Sequence, residues 1–323
     1  MGILIDEGEK TMFTARRGRL ALIGAVSVGA VVALAGCASG DPLDSGGSSS
    51  GSGSGGSETL VIGSQDYYSN EVIAEIYAQA LEANDFTVDR QFRIGQREVY
   101  LPEITSGSID VFPEYTGSLL QALDKQAAGG TADEVYTELQ DALPEGVRVL
   151  DKAAAADQNS WTVTQDFASK YKLTDIASLA NVTEPITVGG NSELESRPYG
   201  PTALKEKYGI EVAGFVPIED SAGPLTVKAL VDNTIQLANI YTADPNIKSN
   251  NLVALDDPEG LFFPDNIVPV VSEKVDETAS EVLNKVNAAL SAEDLVDLNA
   301  QSFNEQKSAE EIAAAWLKRA ALF

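Results

Sequence analysis

One alternation, run through twice, limits what this chain can fold into. From Thr59 onward, short apolar runs take turns with segments of helical period. Thr59 to Gly63 reads as a buried first strand. Glu71 to Ala83 follows with Val72, Ile73, Ile76, Tyr77, Ala80 and Leu81 on one helical face, and Ser69 or Asn70 as the expected N-cap. Asp85 to Ile94 reads as a strand, Glu98 to Ser106 as a helix and Ile109 to Phe112 as a third strand. The rhythm returns at Trp161 to Thr164, with helices over Ser169–Tyr171, Gly200–Tyr208 and Leu225–Asp232. Strands over Ile186–Gly189, Glu211–Pro217 and Ile235–Ile240 lie between and after them. A β-α-β-α-β rhythm predicts an α/β lobe with a mainly parallel sheet, and two such units predict two lobes. Two more apolar runs, Leu252–Leu255 and Ile267–Val271, precede amphipathic helices near Glu277–Ala289 and Ala309–Ala320. Trp316 reads as a packing residue of the last helix.

The alternation starts late, and what precedes it is of a different kind. Arg16, Arg17 and Arg19 form a basic region, and Leu20 to Gly36 is an apolar stretch of 17 residues, the layout of a secretory signal. It ends in Leu34-Ala35-Gly36-Cys37, which resembles a bacterial lipoprotein lipobox. The resemblance implies that Cys37, the only cysteine, is lipidated and becomes the first residue of the mature chain. The plain alternative is a lone buried core cysteine. Asp6, Glu7 and Glu9 fit no signal peptide, so translation starts at Met12 or the n-region is extended. Ala38 to Ser57 is dominated by Gly and Ser, a composition that buries nothing. Such a tether has a root-mean-square reach of about 25 Å.

Composition excludes several functions. Without residues 1–37 the chain keeps 18 basic and 46 acidic residues, a net charge of −28. Such a surface repels nucleic acid and anionic lipid. The chain has no histidine and no second cysteine, which rules out Ser-His-Asp and Cys-His catalytic units and Cys-based metal sites. No cofactor or metal is called for. An enzyme here would have to work with carboxylates, Lys or Tyr.

Particular motifs go further. Gly63-Ser64-Gln65-Asp66-Tyr67-Tyr68-Ser69-Asn70-Glu71, Glu75 to Glu82 and Gly107-Ser108-Ile109-Asp110-Val111-Phe112-Pro113-Glu114-Tyr115-Thr116-Gly117-Ser118 stand in the first unit. Asn159 to Thr164, Arg197-Pro198-Tyr199-Gly200, Tyr241-Thr242-Ala243-Asp244 and Leu261 to Asn266 follow. Together they resemble the substrate-binding proteins of quaternary-amine ABC importers, the receptors for glycine betaine, choline and carnitine. The resemblance implies a two-lobed periplasmic-binding-protein fold, type II-like, that closes on its ligand. Residues 58–157 and 262–323 would form one lobe and 158–261 the other. It also implies an ABC permease and ATPase as partners, and a monomer held to the extracytoplasmic face of the membrane by its lipid.

The ligand chemistry can be argued separately. A trimethylammonium group has no N–H to donate, so aromatic ring faces hold it best, at about 0.5–2 kcal/mol each. A ligand carboxylate then calls for an opposing cation, and Arg offers a bidentate fork. By resemblance, Tyr115, Trp161 and Tyr241 match cage aromatics and Arg197 the carboxylate clamp. Gln65, Ser118 and Asn159 match polar contacts. Two departures stand out. Asp265 occupies a position where relatives often carry Tyr; it would pair with the ligand's ammonium, mark a different ligand, or serve as a turn residue before Asn266. Gly95-Gln96-Arg97-Glu98 replaces the more usual Gly-Gly-Thr, so Arg97 would contact a ligand acid group or form an exposed charge pair with Glu98.

The first reading is therefore a transport receptor that performs no chemistry. A different zwitterion, such as ergothioneine or an amino-acid-like solute, is a variant of it. A secreted carboxylate hydrolase using Asp110 and Glu114 is the reading from another class.

Overall fold

The computed structural model describes residues 59–323, so the expectations for the signal segment, Cys37 and the Gly/Ser tether lie outside the described residues. In chain order the elements are β1 (Leu60–Gly63), α1 (Tyr68–Glu82), β2 (Val88–Gln91), α2 (Arg97–Thr105), β3 (Val111–Tyr115), α3 (Thr116–Leu123), α4 (Ala132–Ala142) and β4 (Val147–Val149). Then come β5 (Asn159–Thr164), α5 (Gln165–Tyr171), β6 (Thr187–Gly190), α6 (Pro201–Tyr208), β7 (Gly214–Pro217), α7 (Pro224–Val231), β8 (Leu237–Tyr241), α8 (Asn246–Ser249) and β9 (Leu252–Ala254). The chain ends with β10 (Ile267–Ser272), α9 (Glu277–Ala289), α10 (Ala292–Phe303) and α11 (Ala309–Ala320).

The strands form two five-stranded sheets, β2-β1-β3-β10-β4 and β7-β6-β8-β5-β9. Each lobe has one. The mainly parallel sheets expected from the rhythm are in fact half antiparallel. In the first, β1 pairs in parallel with β2 and β3, while β10 runs antiparallel to β3 and β4. In the second, β6 pairs in parallel with β7 and β8, while β5 runs antiparallel to β8 and β9. The antiparallel strands, β5 and β10, are those that follow a passage from one lobe to the other. No crossover helix inside the lobe feeds them, so the handed β-α-β connection that enforces parallel pairing does not act there.

Each sheet is covered on both faces. In the first lobe α1 is buried along most of its length beneath α9, α10 and α11, with Trp316 in that core. Tyr100, Phe112, Leu119 and Leu139 fill the opposite side. In the second lobe Trp161, Val188, Leu204 and Leu237 form one core and Leu230, Ile235 and Ile240 the other.

The two crossings lie side by side. Ala156 bridges Asn266 antiparallel, Asp157 N–H donates to Asp265 O at 3.1 Å, and Ile267 N–H donates to Ala155 O at 3.1 Å. This two-stranded strap joins the lobes and carries Asp157 and Asp265 to their junction.

Candidate functional site

The cavity between the lobes is lined by side chains from both, set at the ends of strands and at the strap. Gln65 and Tyr67 come from the loop after β1, Tyr115 from the end of β3, Ser118 from the first turn of α3 and Arg97 from the start of α2. Asn159 opens β5, Tyr241 closes β8, and Arg197 and Tyr199 stand in the turn before α6. Asp157 and Asp265 enter from the strap. Tyr67, Tyr115 and Tyr241 follow the carboxyl ends of β1, β3 and β8, where open α/β sheets place ligands.

The loop after β1 is shaped by Asn70. This residue does not cap α1, which begins at Tyr68 without a side-chain cap. Instead, its amide donates to Pro113 O at 2.8 Å and to Tyr115 Oη at 3.4 Å, and its Oδ1 accepts from Gln65 N–H at 2.9 Å. One buried side chain thus holds the two segments that carry Gln65 and Tyr115.

At one end of the cavity are tyrosines and a carboxylate. The rings of Tyr67 and Tyr241, from opposite lobes, lie 4.7 Å apart between centroids at 50°. Tyr67 Oη donates to Asp157 at 2.7 Å, and the other oxygen of Asp157 accepts from Ala243 N–H at 2.9 Å. Burial nevertheless pushes the Asp157 carboxyl up to about 7, with the Asp244 and Asp265 charges adding to it. Burial also drives the phenols of Tyr67, Tyr115 and Tyr241 above their ordinary value, so they stay neutral.

The middle of the cavity is a polar node. Asp265 accepts from Ser118 N–H and from Ser118 Oγ, both at 2.6 Å, and Asn159 Nδ2 donates to Ser118 Oγ at 3.0 Å. Asp265 therefore sits on the amino end of α3, where a negative charge is favoured. Burial raises it to about 6 against the pull of these bonds. Asn159 Oδ1 is buried without a protein partner, an acceptor open to an O–H donor.

Two arginines mark the other end. Arg97 forms a bidentate pair with Glu114, both contacts at 2.8 Å, and Glu114 also accepts from Tyr100 Oη at 2.7 Å and Tyr115 N–H at 2.9 Å. The exposed pair expected between Arg97 and Glu98 does not form, because Arg97 is buried against Glu114. Glu98 pairs instead with Arg197 of the other lobe at 3.1 Å, and Arg197 also donates to Gln96 Oε1 at 3.4 Å and Tyr199 Oη at 3.2 Å. Gln96 in turn donates to Ser221 Oγ at 2.8 Å. Ser221 and Ala222 both have positive φ, 51° and 64°, an uncommon backbone for side chains larger than glycine.

Gln65, Tyr115, Ser118, Asn159, Arg197, Tyr241 and Asp265 meet in this cavity; Trp161 does not. On β5 the side chains of Asn159 and Trp161 point to the same face, but Trp161 is two residues further from the cleft, fully buried in the lobe core. Its ring packs on Phe262 at 6.1 Å, and Tyr199 packs on the same Phe262 at 5.6 Å. Trp161 thus buttresses the aromatic that reaches the cavity. Sequence reasoning passed over Tyr67, Tyr199 and Asp157. The first two stand inside motifs already singled out, and Asp157 lies two residues before Asn159 with no pattern of its own.

The hydrolase pair is not assembled. Asp110 is buried under the sheet, accepting from Val61 N–H at 2.9 Å and Ser272 Oγ at 2.8 Å with Lys274 at 3.4 Å. Glu114 is committed to Arg97 as described. Neither lines the cavity.

Two α/β lobes joined by a strap around one aromatic and charged cleft define a two-lobed substrate-binding protein. Residues 58–319 match the family described as the substrate binding domain of ABC-type glycine betaine transport systems, and the chain belongs to that family. It is 27% identical over 275 residues to the glycine betaine-binding protein YehZ of Escherichia coli K12, covering 80% of this chain and 89% of that one. It is 23% identical over 270 residues to the carnitine transport binding protein OpuCC of Listeria monocytogenes, covering 81% and 87%. A crystal structure of a glycine betaine/carnitine/choline ABC transporter matches its fold with a TM-score of 0.66 at 19% identity, covering 81% of this chain and 99% of that one.

Proposed function

We propose that this protein captures a quaternary-amine zwitterion of the betaine type between its lobes and hands it to an ABC permease. The observation that carries the reading is the layout of a single cavity: tyrosines and Asp157 at one end, Arg97 and Arg197 at the other. A quaternary ammonium gains ring-face attraction and a nearby carboxylate at the first end, and a ligand acid group faces guanidinium at the second. Tyr67, Tyr115 and Tyr241 form the cage in this reading, and Tyr199 stands beside Arg197 at the other end. Arg197 serves as the clamp, with Gln65, Ser118, Asn159 and Asp265 shaping the wall.

The free volume of the cavity is about 10 Å³, close to that of one water-sized sphere. The lobes must therefore part to admit a ligand, and the strap is the natural hinge. In the same reading the protein acts as a monomer, tethered by a lipid on Cys37 and the Gly/Ser segment beside its permease. Support for the tether is the sequence pattern around Cys37; no described helix is long and apolar enough to cross a membrane.

Titration calorimetry with choline, glycine betaine, carnitine, ergothioneine and proline betaine tests the assignment. One site per chain for at least one carboxylated quaternary amine is expected. No heat with any of them removes it.

A further inference from the structure

The cleft does not end at the inner cavity. A second chamber opens beyond it and shares Arg97, Ser118, Arg197 and Tyr199 with the first, so these four side chains form a neck between the two. The outer chamber is much the larger, with a free volume of about 250 Å³ against about 10 Å³. Leu101 and Pro198 give it apolar wall from opposite lobes, and Gln121 and Lys125 line it beside α3.

Its charges are unevenly committed. At the neck, Arg97 is neutralised by Glu114 at 2.8 Å and Arg197 by Glu98 at 3.1 Å. Lys125 forms no ion pair among the described residues, which leaves it as the chamber's uncommitted cation. A headgroup held among the tyrosines has little room beside it in the inner cavity. With a short spacer its acid group stops at the neck, and each added methylene carries that group further outward along Leu101 and Pro198.

We propose that the outer chamber is a second ligand subsite, taking the carboxylate of a zwitterion in which three or more carbons separate acid from quaternary ammonium, with Lys125 as its specificity-determining cation. The proposal rests on the binding mode argued above. It names a substrate class within that mode: long ω-ammonio acids over short ones.

The test is calorimetric titration of trimethylammonio-acetate, -propanoate, -butanoate and -pentanoate into the purified protein and into Lys125→Gln and Lys125→Arg. Affinity should rise by about threefold per methylene from acetate to butanoate as the spacer leaves water. Lys125→Gln should weaken the butanoate by about fivefold and leave the acetate unchanged, as expected for a partly exposed ion pair, and Lys125→Arg should restore it. Affinity that falls with spacer length overturns the proposal, as does a Lys125→Gln effect that is nil or equal for every member. If the acetate binds and the longer acids do not, the subsite alone is wrong. If no member binds, the binding mode fails and the subsite with it.

Discussion

At the scale of single residues, two aromatic side chains separate packing from binding. Tyr241 faces the cavity, whereas Trp161 sits behind it in the lobe core. Tyr241→Ala should weaken ligand binding by about tenfold through the loss of one ring contact. Trp161→Phe should keep affinity within about twofold but lower the melting temperature, because the smaller ring leaves a void against Phe262. Calorimetry and thermal unfolding on both variants check the contrast; a tenfold affinity loss in Trp161→Phe would return that ring to the binding surface. Asp157 supplies a second prediction. Burial holds its carboxyl up to about 7 in the free protein, and a cation beside it favours the ionised form and lowers that value. Affinity should therefore rise with pH, level off above about 7 and fall as Asp157 takes up its proton below that; Asp157→Asn should lose this step and keep only the lower one that Asp265, raised to about 6, contributes. Titrations from pH 5.5 to 8 decide it, and a parent profile without slope removes Asp157 from the cation end.

At the scale of elements, most of the alternation was legible because apolar period and length are local properties. α9 and α11 run over the residues that the periodicity marks. α4 and α10 went unread although both open with a capping box, Thr131 with Glu134 and Ser291 with Asp294, a signal present in the sequence. α3 went unread for another reason: it follows β3 without a loop, and its first turn carries Gly117 and Ser118, which look like turn residues. Gly117 is needed there because a Cβ would lie 2.6 Å from Phe263 Cβ and 2.7 Å from Pro264 O, in the strap segment that carries Asp265. Gly117→Ala should destabilise the fold by about 1–3 kcal/mol through overpacking, and should weaken binding by pushing Asp265 off Ser118. Denaturant unfolding reads the first effect and titration the second. Unchanged stability would mean that the strap yields without cost.

At the scale of the whole molecule, side-chain contacts besides the strap tie the lobes, Asn159 to Ser118 at 3.0 Å and Asn299 to Ala243 O at 3.1 Å among them. Arg197 pairs with Glu98, Ser221 accepts from Gln96 while donating to Asp66 O at 3.0 Å, and Tyr68 donates to Asp244 at 3.3 Å. These polar contacts exchange readily with water, at about 0.5–1.5 kcal/mol each, which suits lobes that must open. The tether belongs to this scale as well. If a lipid on Cys37 holds the protein, Cys37→Ser should move it from the membrane fraction to the soluble fraction without changing ligand affinity. Cell fractionation with immunodetection measures this, and membrane retention of the variant would refute lipid anchoring at that residue.

By itself the sequence determined the α/β class, the two-unit organisation, the exclusion of histidine and thiol catalysis, and a family resemblance carried by short motifs. Each depends on residue identity and near-neighbour spacing. Only the tertiary structure decided which strands run antiparallel, which of Asn159 and Trp161 on one face of β5 reaches the cleft, and that Arg97 belongs to Glu114 while Glu98 belongs to Arg197. Those outcomes depend on how deep a residue sits and on what arrives from elsewhere in the chain. Asp157 shows the difference most plainly: an ordinary aspartate in the sequence, it becomes a carboxylate poised near neutral pH because the strap buries it between two lobes beside Tyr67.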